Sequence, residues 1–306
     1  MPFSPTSVTA AHSDAPAPSI LQTPGGPVET LQFGGGPALL ALHGGMGGYD
    51  QSLLLVRAAL GDEPAARVIA VSRPGYLGTP LGSGATPERQ ADLYAGLLDR
   101  LGVSASFVIA VSAGGPSALQ FAKRHPSRCA GLILVSCCTG QLHVPPEVAS
   151  RMPAMKLIAR LPWLIGIMRW RAERNPLKAA RRSIRDPALA ARTLADPIAG
   201  PLLRELQSST LRRLSERLPG TLNDIDQFSS ISPISAARIG IPMLVIHGNA
   251  DRVVPFAHGQ RLGASAPNAE LVAIDGGEHV SLFTHLDPIR SKIRAFIAQA
   301  QAPYGA

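Results

Sequence analysis

The amino-acid sequence predicts an α/β fold, with a mostly parallel central sheet, helices on both of its faces and an inserted helical cap. Short apolar runs alternate with helical patterns between residues 37 and 138, which is typical of parallel strands joined by crossover helices. Roughly ninety residues of helical composition follow without a convincing strand. Strand-like runs resume at residues 242–247 and 270–274, so one sheet continues after the insertion.

Six short apolar runs are the predicted strands. The run at residues 129–138 is almost wholly apolar, as a strand buried on both faces should be. The predicted strands occupy residues 37–42, 67–72, 106–111, 129–138, 242–247 and 270–274.

Three stretches have the periodicity of helices. Residues 87–101 repeat Leu and Ala at helical spacing, and residues 114–125 form a second predicted helix that stops before a proline. Residues 288–299 place apolar side chains on one face, as an amphipathic helix packed on the sheet would.

The domain boundaries follow from composition. Residues 1–27 are rich in Pro, Ala, Ser and Thr, so we predict a flexible amino-terminal tail. Residues 28–139 and 233–306 form the predicted core, and residues 140–232 form the predicted cap. The first residues lack the basic start and apolar run of a secretory signal, and three cysteines make a poor disulfide framework. We therefore expect a cytoplasmic protein.

The net charge of +8 is concentrated in the predicted cap, which holds fifteen lysines and arginines against eight acidic residues. A nucleic-acid site would need clustered aromatic residues or a known module, and only Trp163 and Trp170 are near. We expect a small-molecule substrate and no nucleic-acid partner. Peripheral contact between the basic, apolar cap and a membrane stays open as an alternative. The sequence leaves the oligomeric state open.

Ser112 lies between a predicted strand and a predicted helix, flanked by small residues from Ala110 to Gly115. A strand-to-helix turn of this kind forces the serine into a strained backbone conformation and exposes its hydroxyl group. The start of the following helix also directs N–H groups, including that of Ala113, toward developing negative charge. This pattern is typical of a nucleophile.

Three other turns follow predicted strands. A His-Gly-Gly turn ending at Gly45 could offer a second N–H group, Asp251 comes shortly after one strand, and His279 shortly after the last. Parallel sheets bind ligands outside the carboxyl ends of their strands. Serine, acid and histidine are therefore expected at one edge, in the order Ser, Asp, His.

These motifs resemble those of the α/β-hydrolase family, in its cap-bearing serine hydrolase branch, from residue 28 to the last helix. An HG turn, a nucleophile elbow, an H-G-x-x-D-x-x-V-P segment and a late G-x-x-H occur in the family's order. The resemblance implies Ser112 as nucleophile, His279 as base and Asp251 as acid. It also implies Gly45 and Ala113 as oxyanion donors, and a cap over residues 140–232, inserted after the strand that is sixth in the family's order.

Several residues compete for these roles or depart from the pattern. Asp226 and Asp275 are alternatives to Asp251 as the acid, and His285 is an alternative to His279. Ala110 replaces the usual first glycine of the elbow, and we expect the turn to tolerate its methyl group. His43 and His247 each precede a glycine at a strand end and are expected to hold their turns by side-chain hydrogen bonds.

The predicted activity is hydrolysis of a carboxylic ester-type bond in a small, largely apolar substrate through an acyl-enzyme. It requires no metal ion and no organic cofactor. The same three residues would also serve a C–C bond hydrolase, a peptidase or a thioesterase, because the cap and the pocket decide the substrate. A ligand-binding protein with little turnover and a peripheral membrane lipase are further alternatives.

Overall fold

The computed structural model describes residues 17–143, 150 and 152–301. Its centre is an eight-stranded sheet within this described part, in the order β1-β2-β4-β3-β5-β6-β7-β8. Strands β1 to β8 are Ser19–Thr23, Gly26–Phe33, Ala38–Leu42, Arg67–Val71, Ser106–Val111, Cys129–Val135, Met243–Gly248 and Ala269–Ile274. The pairings from β4 to β8 are parallel and the first two are antiparallel, which confirms the predicted mostly parallel sheet.

The prediction of a flexible tail over residues 1–27 is wrong for its last part. Strand β1 pairs with β2 from Ser19 opposite Thr30 to Thr23 opposite Gly26, around a tight turn. A Pro-Gly-Gly sequence within this stretch supplies the turn, because Gly26 adopts a φ of 120° that favours glycine. Residues 1–16 lie outside the described residues.

Helices cover both faces of the sheet, as predicted. They are α1 Tyr49–Leu60, α2 Pro87–Arg100, α3 Gly115–Arg124, α4 Met152–Ile158, α5 Pro162–Arg174, α6 Pro176–Ala180, α7 Pro187–Ala195, α8 Ala199–Ser209, α9 Leu214–Ser230, α10 Ala257–Ser265, α11 Ser281–Thr284 and α12 Leu286–Gln301. Helices α2, α3 and α10 pack on one face, and α1 and α12 pack on the other.

The two apolar layers follow from the alternation of side chains along each strand. In β3, Leu40 and Leu42 join the layer under α2 and α3, whereas Leu39 and Ala41 join the layer under α1 and α12. Strands with two buried faces must be apolar throughout, which is why these runs are conspicuous in the sequence.

Helices α4 to α9 lie between β6 and β7, and the described residues of this segment contain no strand. Its last helix packs on the loop after β3, through Leu214 and Leu218 against Met46. None of the described helices combines the length and apolar composition needed to cross a bilayer.

Candidate active site

Ser112 occupies a sharp turn between β5 and α3, with a φ of 53°. This left-handed conformation is costly for a non-glycine residue and persists only where the surroundings impose it. Space is minimal here, since a Cβ atom on Gly44 would lie 3.0 Å from the Cβ of Ser112, and one on Gly115 would collide with the Cys138 carbonyl oxygen. The predicted elbow forms with alanine at position 110, whose methyl group is fully buried.

Three side chains from three loops meet at the carboxyl edge of the sheet. Ser112 follows β5, Asp251 follows β7 and His279 follows β8. The Nε2 atom of His279 lies 3.0 Å from the Oγ atom of Ser112, and its Nδ1 atom lies 2.8 Å from the Oδ2 atom of Asp251. With its proton on Nδ1, the imidazole donates to the carboxylate and leaves Nε2 free to accept the hydroxyl proton.

The carboxylate of Asp251 is held by its own loop. Its Oδ1 atom accepts hydrogen bonds from the N–H groups of Val253 at 2.8 Å and Val254 at 3.0 Å. The Nε2 atom of His247 lies 3.5 Å from Oδ2 and forms a hydrogen bond with the Val254 carbonyl oxygen at 2.9 Å. This side-chain hydrogen bond holds the turn, which is the role expected for His247. Burial raises the pKa of Asp251, but the hydrogen bonds from His247 and His279 outweigh it and hold that pKa well below its usual range. Asp251 is therefore charged at neutral pH.

The competing residues lie elsewhere. Asp226 is exposed, and Asp275 is exposed and accepts a hydrogen bond from Asn249. His285 contacts the Thr284 hydroxyl group at 2.9 Å. The structure brings none of the three competitors to Ser112.

The two expected oxyanion donors flank the serine. Gly45 lies on the wall of the cavity beside Ser112, and Ala113 follows Ser112 in a 3-10 turn. In the described part of the chain, no hydrogen-bond partner is recorded for either backbone N–H group. The preceding His43 is buried, and burial together with the Arg73 guanidinium lowers its pKa well below the usual range.

His43 holds the start of this loop as a neutral imidazole, as expected. Its Nδ1–H donates to the Gly44 carbonyl oxygen at 2.6 Å, and its Nε2 accepts from the Arg73 backbone N–H at 2.9 Å. The Arg73 guanidinium also donates to the His43 carbonyl oxygen at 3.4 Å. The loop is therefore fixed at its first residue by the end of β4.

The other end of the loop is held by α9, which the sequence did not suggest. The Met46 N–H donates to the Thr221 Oγ1 atom at 3.1 Å, and Arg217 donates to the Met46 carbonyl oxygen at 3.4 Å. Arg217 is itself buried and paired with Asp50 at 2.6 Å. A helix from the inserted segment therefore fixes the backbone next to Gly45.

A cavity of about 280 Å³ opens beside Ser112 and His279. Its walls come from the core and from α5, α6 and α8. Most of the lining is apolar, and the lining residues beyond the serine and histidine are Gly44, Gly45, Gln51, Leu54, Leu55, Val111, Ala172, Ala179, Arg182, Ser183, Leu206, Gln207, Thr210, Leu211, Val280, Leu282 and Phe283.

Gln207 is the exceptional residue of this wall, and sequence reasoning missed it. Its Nε2 atom is buried and has no hydrogen-bond partner among the described residues. The other cavity glutamine, Gln51, donates to the Met46 carbonyl oxygen at 3.2 Å and to the Ser209 hydroxyl group at 2.9 Å. A buried amide nitrogen without a partner is costly, and this cost is relieved when the side chain turns toward an acceptor in the cavity.

Comparison with known proteins agrees with this architecture. The model of the alpha/beta hydrolase family matches residues 39–290. The chain belongs to this family. A solved alpha/beta hydrolase fold protein from Nakamurella multipartita is 33% identical in sequence to this chain and superposes with a TM-score of 0.81. The match covers 92% of this chain and 98% of the Nakamurella multipartita chain.

Two relatives of this hydrolase carry different activities in their names. A 2-hydroxy-6-oxononadienedioate/2-hydroxy-6-oxononatrienedioate hydrolase of Dechloromonas aromatica is 28% identical over 76% of each chain. A poly(3-hydroxyalkanoate) depolymerase of Ectopseudomonas oleovorans is 27% identical, over 78% of this chain and 77% of its own. The family is therefore established, and the bond that this alpha/beta hydrolase cleaves must be argued from its site.

Proposed function

We propose that this protein is a serine hydrolase that cleaves a carboxylic ester-type bond through a Ser112–His279–Asp251 triad and an acyl-enzyme. The observation that supports this proposal is the continuous row of contacts from Asp251 through His279 to the Ser112 hydroxyl group, beside a cavity. The left-handed turn at Ser112 supports it further, because strain of this kind is retained at functional positions.

In the proposed reaction, the Nε2 atom of His279 takes the proton of Ser112 as its Oγ atom bonds to the substrate carbonyl carbon. The carbonyl electron pair moves to oxygen, where the N–H groups of Gly45 and Ala113 stabilise the negative charge. The imidazolium ion, stabilised by the charged Asp251, then gives its proton to the leaving alkoxide. Water attacks the acyl-enzyme in the same manner and regenerates the serine.

The cavity lining favours a small, largely apolar substrate. Leu54, Leu206 and Phe283 belong to its walls, and each methylene group buried against such a surface contributes about 0.8 kcal/mol. The Gln207 side chain, whose Nε2 atom has no partner among the described residues, would add a hydrogen-bond donor when it turns toward a bound molecule. We expect substrates with an apolar body and a nearby oxygen atom.

A C–C bond hydrolase that uses the same residues is the second candidate. The similarity to the Dechloromonas aromatica 2-hydroxy-6-oxononadienedioate/2-hydroxy-6-oxononatrienedioate hydrolase favours it. Arg182, which lines the cavity and has no acidic partner among the described residues, would suit a carboxylate of such a substrate.

A panel of p-nitrophenyl esters of increasing chain length, run beside amide and thioester analogues, tests the proposal. We expect multiple turnovers on esters, kcat/KM rising with chain length until the cavity is filled, and abolition by Ser112→Ala. Ser183→Ala is the matched control, because Ser183 lines the same cavity and should retain activity. Turnover of a vinylogous diketone with none of any ester would favour the C–C bond hydrolase instead.

A further inference from the structure

Helix α5 exposes a stripe of large apolar side chains. None of its thirteen residues is buried, and Trp163, Ile167 and Trp170 are 65%, 39% and 51% exposed. Spacings of four and three residues place these three side chains on one face of the helix. Large apolar groups gathered on an exposed face mark an interaction site.

The neighbouring helices extend this stripe into a surface. Leu157 of α4 and Leu177 of α6 are also exposed, and both helices contact α5. Among the described residues, five of the eight most exposed large apolar side chains belong to this one segment. We call it the apolar cap surface, defined by Leu157, Trp163, Ile167, Trp170 and Leu177.

The apolar cap surface is surrounded by positive charge. Residues 152–182 contain eight lysines and arginines, all exposed, and a single acidic residue, Glu173. Arg169 lies 3.5 Å from this glutamate, and the Arg174 guanidinium lies 4.4 Å from the centre of the Trp170 ring. Two copies of so basic a surface would repel each other, whereas an anionic surface would attract it.

We propose that the apolar cap surface docks this protein on anionic lipid bilayers. Tryptophan side chains prefer the interface between water and hydrocarbon, where an apolar ring and a polar N–H are both accommodated. Exposed lysines and arginines around them contact lipid phosphates, and each contributes additional attraction to an anionic leaflet. A helix such as α5 then lies in the plane of the interface with its apolar stripe inserted.

The position of the surface connects docking with the cavity. Helices α5 and α6, which carry Trp170 and Leu177 on the outside, supply Ala172 and Ala179 to the cavity wall. Docking therefore holds the cavity next to the bilayer, where apolar molecules concentrate. The docking itself is independent of the chemistry proposed for Ser112, so the two are tested separately.

Tryptophan fluorescence of the full chain tests the proposal directly, because Trp163 and Trp170 are the only two tryptophans of the sequence. Vesicles of phosphatidylcholine alone are compared with vesicles that contain phosphatidylcholine and phosphatidylglycerol in equal parts. We expect a blue shift of emission and co-sedimentation with the anionic vesicles, both weakened by added salt. The neutral vesicles should bind at least tenfold more weakly.

Variants separate this surface from the rest of the protein. Arg171→Glu and Lys178→Glu should each lower vesicle affinity about fivefold or more, and Trp163→Gln should reduce it while leaving Trp170 as the reporter. Arg238→Glu and Ile20→Gln change exposed residues outside the segment and should have no effect.

Absence of binding to anionic vesicles would overturn the proposal, as would equal binding to neutral vesicles. Equal effects of Arg171→Glu and Arg238→Glu would also overturn it, since the attraction would then be general. A blue shift that grows with protein concentration without vesicles would assign the surface to self-association instead.

Discussion

Arg73 and Asp224 form a buried bidentate ion pair that joins the end of β4 to helix α9. The two nitrogen–oxygen distances are 2.6 and 3.0 Å, and both side chains are almost fully shielded from solvent. The Tyr76 hydroxyl group donates a further hydrogen bond to the same carboxylate. Since Arg73 also holds His43, the inserted segment and the loop beside Gly45 share one buried network.

Removing the charge of Asp224 should destabilise the fold strongly. Asp224→Asn leaves the Arg73 guanidinium buried without a counter-charge, and breaking a buried pair in this way costs about 3–5 kcal/mol. The free energy of unfolding, measured by urea denaturation, should fall accordingly. Asp226→Asn is the matched control on the same helix, and at this exposed position it should change stability by less than about 0.5 kcal/mol. Equal stabilities of the two variants would contradict this role for the pair.

The identity of the acid is tested by comparing Asp251→Asn with Asp275→Asn. The Asp251 carboxylate accepts a hydrogen bond from the His279 Nδ1–H at 2.8 Å. The amide of the Asp251→Asn variant should disturb the imidazole tautomer and lower kcat by roughly three to four orders of magnitude. Asp275 is exposed and pairs with Asn249, so its variant should keep near-normal ester turnover. A larger loss from the Asp275 variant would assign the acid role to that residue.

Gln207 should select substrates that carry an oxygen atom in their apolar part. Gln207→Met removes the buried unpaired amide, so the preference for p-nitrophenyl levulinate over p-nitrophenyl pentanoate should fall about fivefold. The melting temperature should rise, because an unsatisfied polar group has left the interior. Parallel losses on both esters together with a lower melting temperature would indicate a purely structural role for Gln207.

His258 makes stability depend on pH. Its Nδ1 atom accepts a hydrogen bond from the Thr139 N–H at 3.1 Å, and burial, aided by Arg261, lowers its pKa from 6.5 to about 4. Between these values the unfolded chain binds a proton that the folded chain does not. The stabilisation of the folded state by neutral His258 is therefore complete above pH 6.5, and it is lost as the pH falls toward 4.

Replacing His258 by glutamine isolates this contribution, since the amide oxygen can still accept the Thr139 N–H and never becomes charged. Unfolding free energies of both proteins should be compared at neutral pH and near pH 4.5. The wild type should lose on the order of 1 kcal/mol more than the variant. Identical losses would show that His258 is already accessible to protons in the folded state.

The parallel sheet and the meeting of Ser112, Asp251 and His279 could be anticipated from the sequence for one physical reason. Strands buried on both faces must be apolar throughout, and their carboxyl ends share one edge. Residues that follow such runs therefore lie at that edge, whatever separates them in sequence, and the course of each loop decides which of them meet, as Asp251 and not Asp275 shows.

Other features depend on contacts that local patterns do not encode. Strand β1 lies in a stretch whose prolines suggested a tail, and only its pairing with β2 makes it a strand. Likewise, Asp224 and Arg217 look like ordinary surface charges of a helix until packing against the core buries them and pairs them with Arg73 and Asp50. Position 207 gives no signal at all, because a glutamine on a helix is usually solvated.

The central claim, that Ser112 is the nucleophile, is tested most directly by titrating the protein with a fluorophosphonate while following ester turnover. Activity should decline in proportion to the labelled fraction and reach zero at one adduct per chain. Peptide mapping should place that adduct on Ser112, and Ser112→Ala should take up no label. Full labelling with undiminished turnover, or an adduct on another residue such as Ser183, would contradict the account.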